Sequence, residues 1–554
     1  MQKNNDRPML RVIFLGGVGE IGKNMVALEF GDDIIVIDCG STFPDVNMPG
    51  IDLVIPDPAF LLDNAERVRA IVLTHGHEDH IGGLPYILRY LNVPVYGTKL
   101  TLALLDGKLR EHKVNAELNV VKAGSVIMLG KSFRVEFVNV SHSISGSCAL
   151  SITTPIGIVF HTGDFKVDFT PIDGNIMNLN RIAEIGNQGV LLLLAESTNI
   201  ERTGYTMSEA TVGKSLRNIL ADNTEKRIFI ATFASNVHRL QQILDLAVEF
   251  KRKVVFSGRS MINVAECATR IGELHYTEDL VIDIDDIKNY EDKEILVITT
   301  GSQGEAMSAL TRMSTGEFNK IKLGFNDLVI ISASPIPGNE RMIYTVINNI
   351  YRLGASVIYE SLAEVHVSGH ACREEVKLIH SLLKPKFFIP IHGEHRHQRK
   401  HADLAVQMGM KASNIIITDI GDVVEVTPKL IKLGDKVTSG LLLVDGLGIG
   451  DVGSVVLRDR KYLSEEGVLV AAVGVDKASG EVLSIELTSR GFVYVNETEN
   501  IQTEIKEVVY STLLKCDLKG VEDFTGIKNI IRKEIKNFVY KKIKRSPMII
   551  VIIL

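Results

Sequence analysis

Residues 75–80 read His-Gly-His-Glu-Asp-His, placing three imidazoles and the Asp79 carboxylate within six positions, directly after the apolar run Ala70-Ile71-Val72-Leu73. Burying that many titratable groups at a strand end is costly unless something pairs them, and a divalent cation does so most readily. His75 and His77 alternate, so their side chains share one side of an extended or turning backbone. Asp79 and His80 follow and can face a second ion. A single His-x-His pair carries little weight, whereas the whole string predicts a two-metal hydrolase.

Two ions need more donors than this string holds. Further candidates are histidines or acids where a strand gives out and a tight turn begins, the place where α/β folds put their chemistry. His142 follows the strand-like run Phe133–Val138, Asp164 follows Ile156–Phe160, and His392 ends Phe388-Ile389-Pro390-Ile391. The expected assignment puts His75, His77 and His142 on one ion. Asp79, His80 and His392 hold the second, and Asp164 bridges both. Imidazole and carboxylate donors without thiolate suit two zinc ions, with manganese as the competitor. His161 is expected to pack behind the ligands, because Asp164 is the better-placed donor.

The elements that must position these groups fall into distinct textures. Residues 1–207 read as short β-runs with helices near Gly82–Leu91 and Leu100–Leu109, and Leu191–Ala195 is apolar enough for a fully buried strand. From Ser208, a plausible helix N-cap, to residue 355 strands and helices alternate, predicting a parallel α/β unit of about four strands. Residues 356–442 return to histidine-bearing turns like those of the first segment, so the α/β unit reads as an insertion. The glycine-rich segment 443–454 is expected to be a linker. Residues 455–554 form a last unit, with strands near Val455–Leu457, Val468–Val473 and Val482–Leu487, helices near Thr498–Leu514 and Thr525–Ile543, and an apolar terminal strand from Met548.

The bulk composition of the 554 residues narrows the classes further. No run approaches the length of a membrane span, and the polar start Met1–Arg7 lacks a signal peptide's apolar core. Five scattered cysteines without a Cys-x-x-Cys pair fit reduced thiols in a cytoplasm. A net charge of −7 argues against indiscriminate duplex binding. Gly16-Gly17-Val18-Gly19 lacks the spacing and context of a dinucleotide fingerprint.

The string His75-x-His77-x-Asp79-His80 with later His142, Asp164 and His392 resembles the metallo-β-lactamase superfamily. Leu194-Ala195-Glu196-Ser197-Thr198, Val365-His366-Val367-Ser368-Gly369-His370 and Pro390-Ile391-His392-Gly393-Glu394 are similar to motifs A, B and C of its β-CASP nucleic-acid branch. Leu15–Asn24, Thr232–Arg239 and Thr300–Glu305 narrow the resemblance to bacterial ribonuclease J. The resemblance implies an αββα sandwich with an inserted parallel β-CASP domain and a small α+β C-terminal domain. It also implies endonuclease and 5′→3′ exonuclease action on single-stranded RNA in RNA decay and rRNA maturation. Homodimers or tetramers, other RNA-decay partners and no membrane complete that picture. Glu196 stands where Asp is commoner in this family; the branch accepts either acid.

On this reading the catalytic residues are His370, Glu196 and Asp79. His370 gives a proton to the leaving 3′-oxygen, and Glu196 orients it and keeps it charged. Ser235 and Asn236, ahead of a helix, would bind a 5′-monophosphate together with His366, Val367, Ser368, Gly369 and His370. Ser235 is equally readable as a helix N-cap. The stretch 392–401 with Arg396, Arg399 and Lys400, and also Lys166, Arg202 and Arg341, could contact the RNA backbone. Alternatives are a DNA-processing β-CASP nuclease, a small-molecule metallo-hydrolase and a non-catalytic scaffold.

Overall fold

The apolar runs pair into two facing sheets. In this computed structural model residues 9–554 are described, apart from 46, 306, 336–338, 447, 477, 493–494, 517, 519–520 and 522; the polar start Met1–Arg7 lies outside the described residues. Leu10–Gly16, Met25–Phe30, Asp33–Ile37, Val68–Val72 and Val95–Thr98 are the middle of an eight-stranded sheet. Phe133–Asn139, Cys148–Thr154, Gly157–His161 and Val190–Glu196 lie within a six-stranded one. Their inner faces close on one another: Val12, Phe14, Leu28 and Ile35 share a cluster with Phe137, Leu150, Val159 and Leu192. Helices cover both outer faces. Lys99–Glu111 packs its Leu102, Leu105 and Leu109 on the first sheet, and Arg373–Leu383 packs Val376, Ile379 and Leu383 on the second. This is the αββα sandwich.

Each sheet takes strands from both sides of a long excursion. Leu192–Glu196 pairs parallel with Phe387–Ile391, and Leu10–Ile13 pairs antiparallel with Val423–Val426. Between them lies a separate five-stranded parallel sheet in the order Lys253–Ser257, Ile295–Thr299, Arg227–Ala231, Asp327–Ile331, Ser356–Ile358. Its strands are buried on both faces, as helices on either side require. The fifth strand, beyond the four expected, spans three residues, too few for a visible apolar pattern. The single helix expected over Gly82–Leu91 is two one-turn helices, Glu78–Ile81 and Leu84–Ile87, the second with Pro85 in its first turn.

Contacts divide the chain into two units, residues 1–42 with 55–442 and residues 43–54 with 443–554. In the second unit the sheet Val482–Arg490, Val468–Val475, Met548–Ile553 packs one face on Val495–Leu513 and Thr525–Ile543. The segment expected as a linker is structured: Leu441–Asp445 and Gly448–Ile449 form a sheet with Leu53–Pro56. Val455–Leu457, expected as a strand, begins the helix Ser454–Glu466. The β-branched pair misleads there; Leu457 packs with Ile51, Val54 and Leu443, and Arg460 donates to the carbonyls of Pro49 and Gly50.

Candidate active site

The donors foreseen in the string and at distant strand ends meet in one place. His75 Nε2 lies 3.0 Å from His77 Nδ1, which lies 3.1 Å from His142 Nε2. His142 Nδ1 is 2.7 Å from the Gly369 carbonyl and donates to it, so Nε2 is the ring's lone-pair side. A Cβ on Gly369 would sit 2.6 Å from the His142 ring, which explains a glycine there. Burial holds His75 and His142 well below the usual imidazole pKa and His77 at about 4. Three imidazole nitrogens, kept neutral by burial and gathered this closely, are a donor set that a divalent cation can take up.

A second group gathers around Asp164. His80 Nε2 is 3.2 Å and His392 Nε2 3.5 Å from Asp164 Oδ2, and His392 Nε2 is 3.1 Å from Asp79 Oδ2. The same Asp164 oxygen lies 3.7 Å from His75 Nε2 and 3.8 Å from His142 Nε2, between the two sets. His392 has a left-handed backbone, φ +49°, held by its N–H on the Gly17 carbonyl at 2.8 Å. Its Nδ1 lies 2.7 Å from Thr198 Oγ1. His80 Nδ1 donates to Asp38 Oδ2 at 2.8 Å, and Asp38 also accepts from the Thr74 N–H and hydroxyl at 2.8 and 2.7 Å. Burial opposes charge on His80, but Asp164, Asp79 and Asp38 outweigh it and raise its pKa well above the usual value. Asp79 is braced through its backbone: its carbonyl accepts from the Asn24 N–H at 2.9 Å, and a Cβ on Gly40 would collide with it.

Beside this group His370 Nδ1 lies 2.8 Å from Glu196 Oε2, while Glu196 Oε1 accepts from the Phe165 N–H at 2.8 Å. Burial works against a charged His370, but Glu196, with Asp164 and Asp79, prevails and raises its pKa to about 9. Its side chain is 23% exposed, so Nε2 is the edge left for a ligand. His370, Glu196, Asp164 and His392 also have donor atoms close enough to share an ion. His161 lies near enough to Asp38, His80, Asp164 and His392 to feel their charge, but burial prevails and depresses its pKa to about 4; its Nδ1 accepts from the Gly163 N–H at 3.0 Å.

The residues expected to hold a terminal phosphate converge less tightly. Asn236, not Ser235, caps the helix Val237–Glu249, its side chain accepting from the Arg239 N–H. Ala234, Val365 and Val367 pack in one cluster, and Ser332 Oγ donates to the Val365 carbonyl at 2.6 Å. His366 Nδ1 lies 2.6 Å from Ser334 Oγ, and burial, with Arg239, Arg202 and Lys166 nearby, holds its pKa well below the usual value. A cavity of about 870 Å³ lined by Ser141, His142, Lys166, Asp168, Glu209 and His238 lies beside the histidines. The basic stretch expected to line a channel is largely neutralised: Arg396 and Lys400 both pair with Glu201, and Arg396 also with Glu394. Lys166 is buried against Asp168 and the Met207 carbonyl. Arg202 and Arg341 are exposed.

Sequence reasoning missed Asp38, Thr198 and Asn199. Asp38 had a signal, an acid ending the apolar strand Asp33–Ile37 just before Cys39-Gly40. Thr198 stood inside the motif Leu194–Thr198 and Asn199 just beyond it, but what they bond to was not legible, because their partners lie far along the chain.

A metallo-β-lactamase sandwich with an inserted parallel domain and a buried His/Asp centre defines a metal-dependent hydrolase of the β-CASP type. The comparisons with known proteins agree. Residues 18–230 match the metallo-beta-lactamase superfamily, 225–350 the ribonuclease J beta-CASP domain, 355–417 the Zn-dependent metallo-hydrolase RNA specificity domain and 455–554 the ribonuclease J C-terminal domain. The chain is 43% identical to ribonuclease J2 of Bacillus subtilis (strain 168) over 100% of both chains. It is 40% identical to a ribonuclease J of Thermus thermophilus, over 98% of this chain and 95% of that one. A solved protein of unknown function from Enterococcus faecalis V583 shares the fold at 19% identity, covering 76% of this chain and 100% of that one with a TM-score of 0.55. The chain belongs to the ribonuclease J family.

Proposed function

We propose that this chain is a ribonuclease that hydrolyses RNA phosphodiesters with two metal ions, cutting internally and also degrading 5′→3′ from a 5′-monophosphate end. The observation that carries the reading is the meeting of His75, His77 and His142 with Asp79, His80 and His392 around the single Asp164 oxygen. The donor set, imidazole and carboxylate without thiolate, fits zinc best, with manganese the competitor. His75, His77 and His142 would hold one ion, Asp79, His80 and His392 the other, with Asp164 shared. When bound, the ions supply Lewis acidity and neutralise phosphate charge.

The chain's own residues do the rest. Gly369, Asp38 and Thr198 engage the Nδ1 atoms of His142, His80 and His392, which turns each Nε2 toward the centre. Asp79 is held by its backbone so that its carboxylate meets His392. Glu196 anchors His370 Nδ1 and leaves a proton at Nε2, where it can pass to the departing 3′-oxygen. For exonuclease action a 5′-monophosphate would sit among Ser235, Asn236, His366 and the Val367–Gly369 backbone, ahead of the helix Val237–Glu249.

The five cysteines form no disulfide, which suits a cytoplasmic enzyme. No helix among the described residues is long and apolar enough to cross a membrane. The reading also includes homodimers or tetramers and association with other RNA-decay proteins, checked by light scattering. The decisive experiment is a time course on 5′-monophosphate, 5′-triphosphate and 5′-hydroxyl RNAs, beside DNA of equal sequence, with and without chelator. Metal-dependent release of mononucleotides fastest from the 5′-monophosphate RNA is expected. Equal rates on all three ends would remove the phosphate pocket, and cleavage that survives chelation would remove the metal centre.

A further inference from the structure

His370 is held by its backbone as firmly as by its ring. Its N–H reaches Ser368 Oγ at 3.2 Å, and its carbonyl oxygen accepts from Asn199 Nδ2 at 3.1 Å and lies 2.7 Å from Thr206 Oγ1. Asn199 sits just past Glu196 and bridges in parallel to Cys372, so it stands between the acid-bearing strand end and the segment 366–370. Its amide does two things at once. One hydrogen goes to the His370 carbonyl and the other to Ser368 Oγ at 2.8 Å.

That arithmetic fixes the amide. Turned over, Asn199 would present Oδ1 to the His370 carbonyl, two acceptors with no hydrogen between them. It also fixes Ser368. A hydroxyl oxygen has two lone pairs and one hydrogen, and Ser368 Oγ already accepts from Asn199 Nδ2 and from the His370 N–H. Its hydrogen is therefore obliged to donate, and no described residue accepts it. A half-buried hydroxyl obliged to donate favours an acceptor, and a terminal phosphate presents charged acceptor oxygens in every orientation, where a 5′-hydroxyl offers only neutral lone pairs.

We infer that Asn199 is a positioning residue that sets the hydrogen-bond polarity of Ser368 and ties it to His370, so that this subsite selects an acceptor-only phosphate at the RNA 5′ end. The inference rests on the phosphate-pocket reading above. Asn199 touches neither the reacting phosphorus nor an ion donor in this arrangement; it acts through the two groups it holds.

The test uses the full chain with metal, and kcat and KM are measured separately on 5′-monophosphate and 5′-hydroxyl RNA for wild type, N199D, N199A, S368A and the double variant N199D/S368A. An aspartate has no hydrogen to give, so in N199D it takes the Ser368 hydrogen and turns the oxygen's lone pairs toward the ligand. The preference for the 5′-monophosphate end should fall about tenfold, mainly through KM. N199A should lose part of the preference, and it serves alone if N199D does not fold. In the S368A background the Asn199 change should leave the preference where S368A put it, since the hydroxyl it acts through is gone. An Asn199 change that slows both RNAs equally, or shifts the preference as much without Ser368 as with it, would overturn the inference alone. A wild type indifferent to the 5′ group would overturn the pocket reading and this inference with it.

Discussion

Asp38 shows how a carboxylate that is not itself an expected ligand still governs one. Its three hydrogen bonds, from Thr74 N–H, Thr74 Oγ1 and His80 Nδ1, leave His80 a single orientation. An Asp38→Ala variant should bind the ion on the Asp79/His80/His392 side about 10–100-fold more weakly. Metal content after dialysis against a graded chelator series reads this directly; unchanged retention of both ions would remove Asp38 from that role. A different buried pair makes a pH prediction. His380 Nε2 lies 3.1 Å from His401 Nε2, and His401 Nδ1 lies 2.9 Å from Ser197 Oγ. Burial depresses the His380 pKa to about 4, below the ordinary imidazole value. A histidine kept neutral by the fold binds fewer protons folded than unfolded. Its stability contribution is therefore complete above the unfolded pKa and is lost as pH falls toward 4. A His380→Gln variant keeps a donor for His401 without titrating. Between pH 6 and 4.5 its unfolding free energy, measured by urea denaturation, should fall less than that of the wild type, by up to about 1.4 kcal/mol per pH unit.

At the scale of elements, the inserted sheet is held at its carboxyl-terminal edge by one buried ion pair. Arg239, 0% exposed, sits in the first turn of Val237–Glu249. It donates to both Glu209 oxygens at 2.7 and 2.9 Å and to the Ser332 carbonyl at 2.6 Å. Glu209 opens the helix Glu209–Asp222, and Ser332 follows the strand Asp327–Ile331, so one guanidinium joins three elements. Arg239→Met keeps the bulk but leaves Glu209 buried and unpaired, which should cost about 3–5 kcal/mol. Chemical denaturation followed by far-UV circular dichroism measures it. A loss below about 1 kcal/mol would mean that Glu209 finds water or protonates instead. The elements themselves were legible where apolar periodicity is long: Thr525–Ile543 matches its expectation, and Ser208 caps its helix through Ala210 N–H. The helix Ser454–Glu466 was not legible, because Val455-Val456 favours a strand locally and the packing partners of Leu457 include residues four hundred positions away.

At the scale of the molecule, the candidate metal centre gathers side chains from strand ends on both sheets of the sandwich and from both sides of the insertion. Ions bound there stabilise only the folded chain, since the unfolded chain scatters the donors. Removing them should lower the thermal midpoint, with a free-energy loss of about 2.7 kcal/mol if the ions were present at a hundred times their dissociation constant. Calorimetry with chelator, then with zinc or manganese restored, checks this. An unchanged midpoint in all three conditions would contradict a bound ion.

The sequence by itself determined which donor residues gather at the centre and the presence of an insertion. Clustered histidines and acids at the ends of apolar runs, and a change from irregular β-runs to regular strand–helix alternation, are patterns written within short windows. Only the tertiary structure decided which nitrogen of each imidazole faces inward, that Asn236 rather than Ser235 caps its helix, and that Asn199 spans Ser368 and His370. A tautomer, a cap and a hydrogen-bond polarity are each set by an atom on another element, and pattern along one segment carries no record of what the fold will place opposite it.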